Sequence, residues 1–183
     1  MRKKEEKFER NIVLLGFMGC GKSTTGIILS KRLGMKYVDV DKYIEEMTGR
    51  TIPQLFEQGE DHFREEEHRA MSELAGQTGC VITTGGGVIM RDDNIPQMKE
   101  NGVVVYINTP FSLCYQRIAD SDRPLVHQNT REQLSDLYKL RRAKYRAVCD
   151  LEVPGINGSR PVVRSILAGL GLEGRLICAF KPL

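Results

Sequence analysis

No stretch of this 183-residue chain is apolar for long enough to span a bilayer. No membrane partner is therefore expected. There is no internal repeat and no low-complexity tract, which sets aside repeat arrays. The cysteines (Cys20, Cys80, Cys114, Cys149 and Cys178) are odd in number, scattered, and without a C-x-x-C pair. That pattern excludes a disulfide framework or a paired-cysteine zinc site and suits a reducing cytoplasm. A net charge of +3 is too slight for a nucleic-acid footprint, although it favours an anionic substrate. His62, His68 and His127 make no H-E-x-x-H, and Glu65-x-x-His68 is half of a carboxylate metal site whose other half is missing. The Glu65-Glu66-Glu67 run reads as a solvated helix face. Residues 1–10 mix Arg and Lys with Glu around no apolar core, unlike a signal peptide, and are expected to form a flexible lead-in.

What remains is an ordinary globular composition, 40% apolar and 28% charged, at a length suited to one domain. The expected domain spans 11–172, followed by a tail at 173–183 that matches no pattern and whose Leu176, Ile177 and Phe180 are apolar. Residues 11–15 (NIVLL) form a continuous apolar run, the mark of a strand buried on both faces. A glycine-rich turn leads into a helix at 22–33. A strand is expected at 36–41 (KYVDVD), then helices near 41–47 and over 52–74, the latter broken at Gly59. Further strands fall at 80–84, 103–107 and 151–153. Further helices fall at 110–119, 130–149 and 161–170, with a polar loop at 120–129. Strands alternating with helices imply a parallel α/β sheet covered on both faces, whose ligands gather at the carboxyl ends of the strands.

The first such end carries Gly16-Phe17-Met18-Gly19-Cys20-Gly21-Lys22-Ser23, a full match to G-x-x-x-x-G-K-[ST] between a buried strand and a helix. In that motif, backbone N–H groups and the helix N-terminus cradle phosphates. The lysine reaches the β- and γ-phosphates, and the hydroxyl (here Ser23) binds Mg²⁺. A guanine-nucleotide switch would also carry D-x-x-G and N-K-x-D, and neither string occurs.

Asp39 and Asp41 flank Val40 at the end of the second strand, where alternation would place both on one side of the sheet. One acid could then hold the metal and the other meet a substrate hydroxyl; the bland alternative is a helix cap. Arg64 borders an apolar stripe of Phe63, Ala70, Met71 and Leu74, with an ion pair to Glu60 or Glu67 as its bland alternative. Arg141 lies within the inward stripe of Leu134, Leu137, Tyr138, Tyr145 and Val148. An inward guanidinium must be paired, either by an internal acid or by the carboxylate of a ligand gripped through two parallel hydrogen bonds. Gly85-Gly86-Gly87 directly follows a strand and lets a ligand approach the main chain. Arg123, in the polar loop, could close over a triphosphate.

Taken in order, G-x-x-G-x-G-K-S-T at 16–24, D-x-D at 39–41, T-G-R-T-I at 48–52, F-R at 63–64, G-G-G at 85–87, R-P-L at 123–125 and R-x-x-x-Y at 141–145 resemble the shikimate kinases, P-loop kinases related to nucleoside monophosphate kinases. The resemblance covers about 11–170. It implies a three-layer P-loop NTPase fold with a five-stranded parallel sheet in order 2-3-1-4-5 and a mobile lid about 120–129. It implies transfer of the γ-phosphate of ATP to the 3-hydroxyl of shikimate, on the route to chorismate, by a cytoplasmic monomer with no nucleic-acid partner. ATP would be held by Gly19, Cys20, Gly21, Lys22, Ser23, Thr24, Arg117 and Arg123, with Arg117 against adenine. Ser23 and Asp39 would hold Mg²⁺. Shikimate would be held by Asp41, Arg64, Gly86, Gly87 and Arg141. Catalysis would fall to Lys22, Asp41 and Arg123. The rivals are another small-molecule P-loop kinase, such as a gluconate kinase, and a nucleotide-binding module without turnover.

Overall fold

The structure, a computed structural model, describes residues 8–173. The tail residues Leu176, Ile177 and Phe180 lie outside it. Five parallel strands form one sheet in the order β2-β3-β1-β4-β5. They are β1 (Asn11–Leu15), β2 (Lys36–Asp39), β3 (Cys80–Thr83), β4 (Gly102–Asn108) and β5 (Leu151–Pro154). The order follows from burial. β1 and β3 are buried at every position and take the interior, whereas β2 and β5 carry exposed residues and form the edges. Residues Ile12, Leu14, Val104 and Ile107 are fully buried between the covering helices.

Helices α1 (Lys22–Leu33) and α9 (Ser159–Gly169) pack together, α1 over β1 to β3 and α9 over β5. Helices α4 (Glu60–Ala75), α5 (Asn94–Glu100) and α8 (Arg131–Val148) complete the cover, α5 and α8 resting on β4. Among the described residues no helix is long and apolar enough to cross a membrane. Two capping boxes fix the starts of α3 (Ile52–Glu57) and α8, where Thr51 pairs with Gln54 and Thr130 with Gln133. Such caps are each worth about 1 kcal/mol.

Two local expectations change, and one unassigned segment gains structure. The second strand stops at Asp39, and Val40 already opens α2 (Val40–Thr48). The Asp39 side chain accepts from Lys42 N, so Asp39 is the helix cap and Asp41 sits in the first turn. The polar segment 120–129 holds a short helix, α7 (Pro124–Gln128), started by Pro124 in the first turn. Between Gly87 and Gly102, a 3-10 turn (Val88–Met90) and α5 form, elements too short for periodicity to announce. The remaining helices are α6 (Phe111–Ile118) and the pair α3 and α4, separated at Gly59 as the sequence pattern suggests.

Candidate active site

All the candidate residues lie at the carboxyl end of the sheet, around three adjoining cavities. The loop between β1 and α1 forms the first. Gly19 and Gly21 have φ of 77° and 99°, conformations that a side chain would strain. Lys22 folds across the loop, its Nζ donating to Gly16 O at 2.8 Å and Phe17 O at 3.2 Å. Ser23, one residue on, donates to Asp39 Oδ2 at 3.4 Å. Gly19, Lys22, Ser23, Asp39, Asp41 and Arg123 all border this cavity. On its far side a second cavity is bordered by Cys20, Gly21, Thr24, Arg117 and Ser159, and Arg117 donates to Gly19 O at 2.9 Å. The Cys20 side chain is buried, with Sγ 3.8 Å from Lys22 Nζ, so only the Cys20 main chain is available to a phosphate.

The third cavity lies on the other side of Asp41 and is walled by Asp41, Arg64, Gly86, Gly87, Arg123 and Arg141. Asp41, Gly85, Gly86 and Arg123 border both this cavity and the phosphate cradle. Two of the three glycines are crowded by what faces them. A Cβ on Gly85 would stand 2.8 Å from Glu67 Oε1, and one on Gly87 would stand 2.7 Å from the guanidinium carbon of Arg64. A Cβ on Gly86 would meet Met18 N at 3.4 Å and Arg141 Nη1 at 3.5 Å. The Tyr145 hydroxyl donates to Gly86 O and its ring stacks on Tyr106 at 5.1 Å, which ties the glycine run to α8 and β4.

The charges are unevenly matched. Arg64 is held from two sides, by Glu67 at 2.7 Å and Glu60 at 2.9 Å, so the ion pair first set out as its bland alternative does form, and in the cavity wall. Arg141 is 3% exposed, and among the described residues it has no acid partner; its Nε is buried without a hydrogen bond. Burial lowers the Arg141 pKa and nearby Arg64 lowers it further, although Tyr145, Glu60 and Glu67 act the other way. A cationic pocket of this kind suits a carboxylate, whose charge and planar geometry match both forks. Burial likewise pushes the Asp41 carboxyl above its ordinary range; Asp39 adds to the push, and Lys22 and Arg123 oppose it.

Glu67 is the residue that sequence reasoning misplaced. It is fully buried, not solvated, and orients Arg64 beside Asp41. Burial raises its carboxyl, with Arg64 opposing, and Oε1 has no hydrogen-bond partner. The signal was present: Glu67 is four residues from both Phe63 and Met71, inside the apolar stripe of α4. Apolar residues Met18, Phe56 and Leu125 also wall the third cavity; Met18 and Leu125 fall within the quoted motifs, and nothing in the sequence singled out Phe56.

Among the described residues no cluster of three or more His, Cys, Asp or Glu could hold a metal by protein groups alone. The donors present are the hydroxyl of Ser23 and the carboxylate of Asp39, at the mouth of the cradle. A few hard oxygen donors beside a phosphate site are what Mg²⁺ accepts, since it keeps most of its waters and its phosphate ligands.

Comparison with known proteins gives the family. The family model for shikimate kinase matches residues 18–170. Shikimate kinase of Clostridium botulinum (strain Eklund 17B / Type B) is 44% identical over 151 residues, covering 82% of this chain and 90% of its own. That of Persephonella marina is 39% identical over 162 residues, covering 86% and 97%. The solved structure of shikimate kinase from Acinetobacter baumannii in complex with shikimate superposes with a TM-score of 0.85 at 39% identity, covering 93% of this chain and 97% of that one. A gluconokinase from Sinorhizobium meliloti shares only the fold, with a TM-score of 0.55 at 18% identity over 91% of this chain and 94% of its own.

Proposed function

This chain belongs to the shikimate kinase family, and from that premise we propose how its residues divide the work of moving the γ-phosphate of ATP to the 3-hydroxyl of shikimate. The observation that carries the reading is the shared wall. The phosphate cradle and a carboxylate-binding cavity meet at Asp41, Gly86 and Arg123, and the acid side holds a buried arginine without an internal counter-ion.

In this reading Arg141 and Arg64 grip the shikimate carboxylate, and the main chain at Gly86 and Gly87 lies against the ring. This anchors the 3-hydroxyl at Asp41, on the boundary with the cradle. Gly19 to Thr24 hold the nucleotide phosphates, with Arg117 on the base side. The hydroxyl oxygen attacks the γ-phosphorus in line, its proton passes to Asp41, and the bond to the β-phosphate oxygen breaks to release ADP. Burial makes Asp41 a stronger base than an exposed carboxylate. Lys22 and Arg123, both close enough to act on the Asp41 charge, neutralise the charge that spreads over the phosphoryl oxygens. Ser23 and Asp39 would hold Mg²⁺, which would supply further charge neutralisation to the transferred phosphate. Among the described residues, the free thiols of Cys20, Cys80, Cys114 and Cys149 suit a reducing cytoplasm.

The test is a coupled ADP-release assay with ATP, Mg²⁺ and a panel of hydroxy acids. Turnover is expected with shikimate and not with gluconate. Turnover with gluconate in preference would overturn the substrate assignment, and ADP release with neither acid would return the chain to a binding module.

A further inference from the structure

The reaction uses Ser23 and Asp39 at the metal position, but two further hydroxyls converge on the same carboxylate oxygen. Tyr37 and Asp39 are two residues apart on β2 and so share one face of the strand. Thr83 on β3 is directly paired with Asp39 in the sheet register. The Tyr37 hydroxyl donates to Asp39 Oδ2 at 3.1 Å, and the Thr83 hydroxyl donates to the same oxygen at 3.2 Å. The two hydroxyls are themselves 3.1 Å apart. Helix α1 lies directly over this group. A Cβ on Gly26 would stand 2.6 Å from Thr83 Cγ2 and 2.9 Å from Tyr37 Cε2, so the helix clamps the tyrosine ring against the threonine. Ser23 is three residues before Gly26 and therefore on the same helix face, which brings its hydroxyl to the same oxygen at 3.4 Å.

We propose that Tyr37 is a positioning residue for the metal-holding acid: its phenol, with the Thr83 hydroxyl, fixes the Asp39 carboxylate opposite Ser23. The inference rests on the reading of Asp39 and Ser23 as the groups that hold Mg²⁺. A carboxylate oxygen has two lone pairs, and three hydroxyls compete for those of Oδ2. Ser23 makes the longest of the three contacts. When its hydroxyl turns to a metal, Tyr37 and Thr83 remain to hold Asp39 in place. An arrangement that orients a metal-binding carboxylate through hydrogen bonds typically changes metal affinity by about 10- to 100-fold. The lower end applies here, because Thr83 stays when Tyr37 is changed.

The experiment is calorimetric titration of ADP into the full-length protein over a series of Mg²⁺ concentrations. Tyr37→Phe keeps the ring that Gly26 and Thr83 clamp and removes only the hydroxyl. It is expected to raise the Mg²⁺ concentration at half effect about tenfold, with the metal-free ADP affinity within about twofold of the parent. A merely structural tyrosine would move the metal-free affinity as well. Thr83→Val removes the other hydroxyl from the same oxygen and should shift the midpoint in the same direction; it carries the test should Tyr37→Phe not fold. Asp39→Asn is the control for the underlying reading. If Asp39→Asn moves the midpoint and neither hydroxyl deletion does, the inference is wrong while the metal assignment stands. If Asp39→Asn leaves the midpoint unchanged, the metal assignment fails and the inference falls with it.

Discussion

Gly87→Ala isolates the acid-gripping half of the site from everything else. Gly87 has φ of −103° and ψ of 0°, open to any residue, so alanine adds no backbone strain. Its effect is steric. The new methyl would lie 2.7 Å from the guanidinium carbon of Arg64, roughly 1 Å inside normal contact. Arg64 cannot swing aside freely, because Glu67 holds it at 2.7 Å and Glu60 at 2.9 Å, and its guanidinium lies 5.0 Å from the Phe63 ring centroid. The guanidinium must shift by about 1 Å at the cost of one of these contacts. A displacement of that size in a substrate-positioning group costs about 100-fold, or about 2.7 kcal/mol of transition-state stabilisation. The assay is steady-state ADP release with shikimate varied at saturating ATP. We expect kcat/KM for shikimate to fall about 100-fold, mostly through KM, while KM for ATP is unchanged. Gly86→Ala is the internal comparison, since its methyl would make ordinary contacts at 3.4 Å and 3.5 Å and should cost only a few-fold. A Gly87→Ala enzyme within about threefold of the parent would refute the placement of Arg64 against the substrate.

Arg141→Lys keeps the charge and loses the planar fork, so KM for shikimate should rise about tenfold or more while ADP affinity, measured by calorimetry, stays the same. Asp41→Asn should lower kcat by about 10²- to 10⁴-fold, with ATP still bound in the same titration. The same variant should melt at a higher temperature at neutral pH. Burial raises the Asp41 carboxyl in the folded state, so the folded protein binds that proton more tightly than the unfolded chain does. The stability tied to this group is therefore complete below the ordinary carboxylate range and is lost as pH rises through the raised value. Asp41→Asn removes that loss, and its advantage in thermal melts should shrink as pH is brought down below the ordinary range. An advantage that persists unchanged in acid would place its origin elsewhere.

The strands and the cradle were legible because continuous apolar runs, glycine turns and the motif all act locally, whereas the sheet order, a non-local property, came only with the resemblance to the shikimate kinases. The long helices were equally plain, since α8 shows its stripe through Leu134, Tyr138, Arg141 and Tyr145. The inward setting of Arg141 followed from that stripe alone. Glu67 was not read correctly, because a run of three glutamates looks solvated by composition although the period of α4 turns one of them inward. The short elements after Gly87 escaped for a different reason. Each spans too few residues to show a period, and their positions depend on tertiary contacts such as Asn94 Nδ2 donating to Val88 O and His68 Nδ1 paired with Asn94 Oδ1.

The change at the end of β2 has the largest consequence for chemistry. Had the strand run on through Asp41, the two acids would have projected side by side onto one face, and their like charges would have shared one space. Ending the strand at Asp39 and starting a helix at Val40 separates them. Asp39 stays on the sheet, tied to Tyr37, Thr83 and Ser23, and borders the phosphate cradle but not the cavity of the two arginines. Asp41 enters the first turn of α2 and borders both the cradle and the cavity of the two arginines. In the proposed reaction the hydroxyl network would hold Asp39 in place for the metal, while burial makes Asp41 a better proton acceptor. One strand-to-helix junction thus gives two neighbouring acids different surroundings, and with them the different parts proposed for each; the D-x-D spacing alone could not show which acid would take which part.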